Sequence, residues 1–153
     1  MSSALENFHV VLYNSMSPVP AQVLMQMQSG NHTLSSELRA ANIDNFTITS
    51  TNARVMCTST AAQVNLSSVQ HVHISGVSFT RCQQNTLSTN GDSVEIRSTV
   101  SYQNIMNTVE SVNTLIIKDS VFDRNTETGL DLRTNVNSTI IERCVFSNNG
   151  NRS

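Results

Sequence analysis

Two histidines, His71 and His73, stand two residues apart in the stretch VQHVHISG. On a β-strand that spacing turns both imidazoles to one side, an arrangement that can supply two ligands to a metal ion. Laying the chain's repeats over one another puts Thr114 and Ile116 beside the pair, so a third ligand is wanting and no metal site or cofactor is expected. Three carboxylates, Asp119, Asp123 and Asp131, could converge on one face, where their separation would govern glycoside cleavage. The plainer reading makes them solvated turn residues, with Asp119 opposite Arg143, and no catalytic residue is assigned. Thr47-Ile48-Thr49 has the Thr-x-Thr pattern of an ice-binding solenoid, but the equivalent outward positions are His73 and Ser75, then Ile116 and Lys118, so no flat threonine array follows.

These residues must be positioned by a repeat. Val69-Val72-Ile74-Phe79, Val112-Leu115-Ile117-Phe122 and Val136-Thr139-Ile141-Phe146 all have offsets of 0, 3, 5 and 10. Ile43-Phe46-Ile48 keeps the first three offsets, with Ala53 where the phenylalanine would fall. Such internal repetition marks a unit that cannot bury its apolar side without a neighbour. Alternation of β-branched residues argues for strands, and the abundance of Asn, Ser and Thr argues against helices. Phe122 and Phe146 are 24 residues apart, which suggests one coil per 24 residues, whereas the 43 residues from Phe79 to Phe122 are one swollen turn or two turns.

Stacked in parallel, equivalent residues lie about 4.8 Å apart. Lys118 and Asp119 then face Glu142 and Arg143, and Cys82, Asn125 and Asn149, each three residues after a phenylalanine, form a column in which asparagine amides can ladder. Cys57 is 14 residues after Ile43 and Cys82 is 13 after Val69, so their sulfurs fall almost above one another. A disulfide between them is the expected outcome, two buried free thiols the alternative, and Cys144 is left as a small, half-buried residue without a partner.

The chain of 153 residues is long enough for one domain with a core. Its formal charge of −2, with 13% charged residues, gives no basic field for nucleic acid. No stretch approaches the roughly 18 apolar residues of a membrane span, and no membrane insertion is expected. Residues 1–28 read as an N-terminal segment or cap, strand or helix undecided at 21–27; residues 29–150 read as coils, with an irregular excursion at about 83–109; residues 151–153 are a tail. The chain stops in mid-repeat, as a fragment of a longer solenoid would. Sequons occur at Asn31, Asn45, Asn65, Asn137 and Asn151, a number expected by chance in so Asn- and Ser/Thr-rich a chain; they permit glycosylation without establishing secretion.

The phrases VQHVHISGVSFTRC, VNTLIIKDSVFDRN and NSTIIERCVFSNN resemble the parallel β-helix repeat of the pectate-lyase-like superfamily. The closer likeness is to large extracellular β-helix proteins of simple animals such as sponges, over roughly Ser29 to Gly150. The resemblance implies an all-β, right-handed, single-stranded parallel β-helix, the hand also following from the preference of parallel crossovers. It implies an extracellular or cell-surface location and, in the enzymatic branches, polysaccharide substrates. The Gly-His-Gly and paired aspartates of the hydrolase branch are missing, and no arginine lies near a proline as in the lyase branch. The expectation is therefore a non-catalytic scaffold or recognition segment that binds glycans or extracellular proteins; the alternative is a fragment of a polysaccharide lyase or glycoside hydrolase.

Overall fold

A computed structural model of the chain describes residues 3–4, 12–13, 22–41, 43–67, 69–89, 91–104, 106–133 and 135–150. The described residues form strands and turns with no helix, and every strand pairing is parallel. The chain winds as a β-solenoid of about five turns. Each coil has three faces. Face one carries Gln22–Gln26, the first parts of Ile43–Cys57 and Val69–Thr80, then Ser93–Arg97, Thr114–Lys118 and Ser138–Glu142. Face two carries Gly30–Leu34, the second parts of the two long strands, then Val100–Tyr102, Val121–Asp123 and Val145–Ser147. Face three carries Leu38–Ala41, Val64–Ser67, Gln84–Thr89, Met106–Glu110 and Thr128–Leu132.

Register decides what is buried. Val23, Phe46, Val72, Val94, Leu115 and Thr139 stack in one inward column, and Met25, Ile48, Ile74, Ile96, Ile117 and Ile141 in the next. The third runs Val55, Phe79, Ser101, Phe122, Phe146, with the rings of Phe122 and Phe146 stacked at 5.0 Å. Each such side chain taken fully from water contributes roughly 1.5–3 kcal/mol. The segment 21–27 is settled as strand over Gln22–Gln26, with Leu24 pointing outward. In the last described coil Ile141 and Phe146 remain 42% and 45% exposed, because no coil among the described residues covers them.

The structure corrects three readings of the sequence. Residues 83–109 are no excursion: they are coil, since Ser93–Arg97 pairs in register with Val69–Thr80 on one side and Thr114–Lys118 on the other. The coil repeats every 21 to 24 residues rather than every 24, as the ladder bonds between neighbouring coils show. The phenylalanine column receives Val55 and not Ala53, because the register shifts between Thr49 and Ala53 and sets Ala53 against Val77.

Corners are made by left-handed residues. One corner column is Gly76, Ser98, Asp119 and Arg143, another Arg81, Gln103, Arg124 and Asn148, all with φ between 49° and 67°. Gly76 has a second reason to lack a side chain, for a Cβ there would collide with the Ser50 carbonyl of the coil below. After the second corner comes the column Cys82, Asn104, Asn125, Asn149. Each asparagine Oδ1 accepts the backbone N–H of the residue one coil earlier, at 2.7, 3.1 and 3.0 Å, and its amide donates to the carbonyl of Phe79, Ser101 or Phe122. Cys82 itself is bonded to Cys57, with Cα atoms 4.9 Å apart, as the spacing predicts. Cys144 is a half-buried free thiol that donates to the Glu142 carbonyl, where Ser120 and Thr99 use hydroxyls on Lys118 and Arg97.

Asn104 and Asn113 provide a matched comparison, one in a buried ladder and one in an exposed ladder between Asp92 and Asn137. Asn104→Ala strips buried groups of their partners and is expected to lower stability by about 2–4 kcal/mol, whereas Asn113→Ala costs within about 0.5 kcal/mol. Urea unfolding of both variants checks this; equal losses would mean that the buried amides do not hold the coils together. Reducing the Cys57–Cys82 bond, which closes a span of 25 residues, is expected to cost about 3 kcal/mol in the same assay. An unchanged midpoint in reductant would contradict it.

Candidate functional site

Face one carries the histidines. Its outward columns are Asn45, His71, Ser93, Thr114, Ser138; Thr47, His73, Glu95, Ile116, Ile140; and Thr49, Ser75, Arg97, Lys118, Glu142. The neighbours of His71 and His73 on the next coil are therefore Ser93 and Glu95, not Thr114 and Ile116, because a coil lies between. His71 Nδ1 meets Ser93 Oγ at 2.9 Å, and His73 Nδ1 meets Glu95 Oε2 at 3.0 Å. Arg97 holds the other carboxylate oxygen of Glu95 at 2.5 Å. Partial burial pushes the Glu95 carboxyl up, and the hydrogen bonds from Arg97 and His73 more than reverse this, leaving it below its ordinary value. Among the described residues no group of three or more His, Cys, Asp or Glu is arranged to enclose a metal ion. The threonines Thr47 and Thr49 sit at the head of mixed columns and make no array.

The three aspartates are each taken up by a different partner. Asp119 receives Arg143 through two bonds of 2.5 and 2.9 Å; Asp123 accepts from Ser147 at 2.7 Å and Asn148 at 2.9 Å; Asp131 holds Arg133 at 2.7 Å. Lys118 pairs with Glu142 at 2.8 Å, so both charge columns expected from the spacing form. The Arg143 guanidinium holds Asp119 below its ordinary value, and the Ser147 and Asn148 hydrogen bonds do the same for Asp123.

Face two carries a groove of about 390 Å³ between the corner at Ser29 and the coil of Tyr102. Asn31, Arg54, Ser78, Thr80 and Tyr102 line it, in line with strand register: Asn31 stands over Arg54, Arg54 over Ser78, and Thr80 over Tyr102. Arg54 is exposed and has no ion-pair partner among the described residues. The Tyr102 ring lies under the Arg124 guanidinium at 6.0 Å, with an Arg124 N–H 3.4 Å from the phenol oxygen. Arg81, one corner away, donates to Gln103. Sequence reasoning missed Arg54 and Tyr102, and it missed Glu95. A signal was present: Gly91, Val94, Ile96 and Ser101 keep the offsets 0, 3, 5 and 10.

Of the sequons, Asn31 is exposed on face two at the groove and Asn137 is exposed in its ladder with Asn113. Asn45 is half-buried beside His71, and Asn65 donates to Glu37 and accepts from Ser67. Asn151 and the tail 151–153 lie outside the described residues, as does most of 1–21.

The solenoid and its two outer faces define the class of the chain as far as geometry can. Comparison with protein-family models, with curated proteins and with solved structures found no match.

The depressed carboxyls set a pH dependence. Asp119, Asp123 and Glu142 bind protons less readily when folded than when unfolded, with ordinary values of 3.8, 3.8 and 4.5. Their stabilising contribution is thus present above those values and lost as pH falls through the lower folded ones. Thermal midpoints taken from about pH 6 to about pH 2 are expected to start declining near pH ~4.5, with a shallower decline in Asp119→Asn. An identical acid limb in that variant would show that the Asp119–Arg143 pair is not populated in solution.

Proposed function

We propose that the chain is a non-catalytic recognition segment of an extracellular or cell-surface β-helix protein, of the right-handed pectate-lyase-like kind, and that its face-two groove binds a glycan. The observation that carries this reading is the unpaired Arg54 set in a row of short amide and hydroxyl side chains beside the Tyr102 ring. Such groups match a ligand rich in hydroxyls, and an aromatic ring offers the apolar side of a sugar a surface. Arg54, Arg81 and Arg124 on or near the same face favour an acidic glycan over a neutral one. The groove's size is within the range of small-ligand sites, which begins at about 300 Å³.

Two further observations support the location and the lack of catalysis. The Cys57–Cys82 disulfide suits an oxidising compartment. Asp119, Asp123 and Asp131 are each committed to a partner of their own, which disfavours two carboxylates working across one glycosidic bond. Asn31 is at once a sequon and part of the groove wall, so a glycan attached there would compete with a bound one.

The test is titration of the chain, made in a host that adds no N-glycans, with uronate-containing, sulfated and neutral polysaccharides. Binding to an acidic polysaccharide, weakened about tenfold or more by Arg54→Ala or Tyr102→Ala, is expected, a change of about 1.4 kcal/mol. Absence of binding to any of them removes the glycan reading. Release of new reducing ends or unsaturated products, abolished by Asp119→Asn or Asp123→Asn, would instead establish the lyase or hydrolase alternative.

A further inference from the structure

We propose that His71 and His73 form an open surface site for a divalent transition metal, with Cu²⁺ bound most tightly, on face one and independent of the glycan groove. Both residues lie on the strand Val69–Thr80 with buried Val72 between them, so both rings stand on the outside of the sheet. Their Cα atoms are two strand residues, about 6.6 Å, apart. Imidazoles at that separation can lean together until both reach one ion at about 2.0–2.1 Å.

What raises the pair above two chance surface histidines is the next coil. Glu95 is held ionised by Arg97 and can only accept a hydrogen bond, so the nitrogen that faces it, His73 Nδ1, must carry the proton. The lone pair then resides on Nε2. Arg97 already supplies the counter-charge of Glu95, so a neutral His73 suffices for that bond. The Ser93 hydroxyl accepts from His71 Nδ1–H equally well, giving His71 the same tautomer. Both rings are thus gripped at Nδ1 by the coil above, which is the orienting contact that metal-ligating histidines make with a carboxylate or other acceptor.

The site has two protein donors, as no third His, Cys or acidic residue closes around it among the described residues. Water or a ligand from another molecule completes the coordination. Two imidazole nitrogens select copper, nickel and zinc over calcium and magnesium, which take oxygen ligands. Among the three, Cu²⁺ binds nitrogen donors most strongly.

Cu²⁺ titration of the full chain, followed by electron paramagnetic resonance, tests the proposal. One tightly bound Cu²⁺ with two coupled imidazole nitrogens is expected, and a large excess of Ca²⁺ should leave it in place. His71→Asn and His73→Asn should each remove one coupled nitrogen and weaken binding at least about tenfold. Glu95→Gln keeps both ligands but offers His73 an amide; the affinity should fall about 10- to 100-fold while two nitrogens stay coupled. These are exposed outward positions, and a far-UV spectrum matching the parent confirms the fold of each variant. If the double variant His71→Asn/His73→Asn binds Cu²⁺ with the parent's affinity and nitrogen coupling, the site is elsewhere and the proposal fails. If Glu95→Gln leaves affinity unchanged, the orienting role of Glu95 fails. Because Arg54 and Tyr102 take no part, loss of glycan binding in their alanine variants leaves the Cu²⁺ result unaffected.

Discussion

A narrow solenoid must satisfy every buried backbone group with a partner one coil away, and this constraint shapes the rest of the molecule. At the straight parts of each face the parallel ladders meet it. At the corners the backbone turns through left-handed residues, and the ladders break. There the asparagine amides take over: Asn104, Asn125 and Asn149 bridge from a backbone N–H on one coil to a carbonyl at the corner's other side. One unsatisfied buried group costs roughly 1–3 kcal/mol, so a few missing amides would offset much of a small domain's net stability. The abundance of asparagine is thus a structural requirement before it is a source of sequons.

The same constraint explains which parts of the fold could be read from the residues. Columns that repeat a chemical type at a constant offset were legible: the apolar triplets, the Lys118–Glu142 and Asp119–Arg143 pairs, and Cys57 against Cys82. The coil of residues 93–110 was hidden because Gly91 and Ser101 occupy its offsets in place of valine and phenylalanine. With that coil unrecognised, everything pairing with it was misplaced, including the neighbours of His71 and His73. The Ala53 error has a different origin, since the two extra residues lie in a corner where length is free and apolar pattern gives no count. Groove residues escaped for a third reason. Arg54, Ser78 and Tyr102 belong to three coils and share no offset pattern, so only the winding brings them together.

Inward columns fix register and outward columns are left to vary, so one scaffold can display unrelated chemistry on different faces. On face one, equivalent residues alternate in charge and hydrogen-bonding type, and side chains are tied coil to coil: His73 to Glu95, Lys118 to Glu142. On face two, Arg54 and its neighbours are left with open valences. A slip of one residue would move both sets to the interior and bring the apolar columns out, which is why the buried columns, more than the surface residues themselves, position the candidate sites.

Ser101 shows how the interior can depart from its own pattern without losing the fold. It stands in the aromatic column between Phe79 and Phe122, where a phenylalanine would seem to complete the stack. Its hydroxyl instead accepts from the Asn104 and Asn107 amides at 2.8 and 2.7 Å and donates to Asn125 at 3.2 Å. Asn107 continues this network to Asn85 and to the Gly129 carbonyl, so a polar thread crosses the core from face two to face three. An aromatic pair adds about 0.5–1.5 kcal/mol beyond its area, whereas each buried amide stripped of a partner loses about 1–3 kcal/mol. Two amides depend on this hydroxyl, so the balance favours serine. The residue that concealed the coil in the sequence is the one that makes the coil compatible with its asparagines.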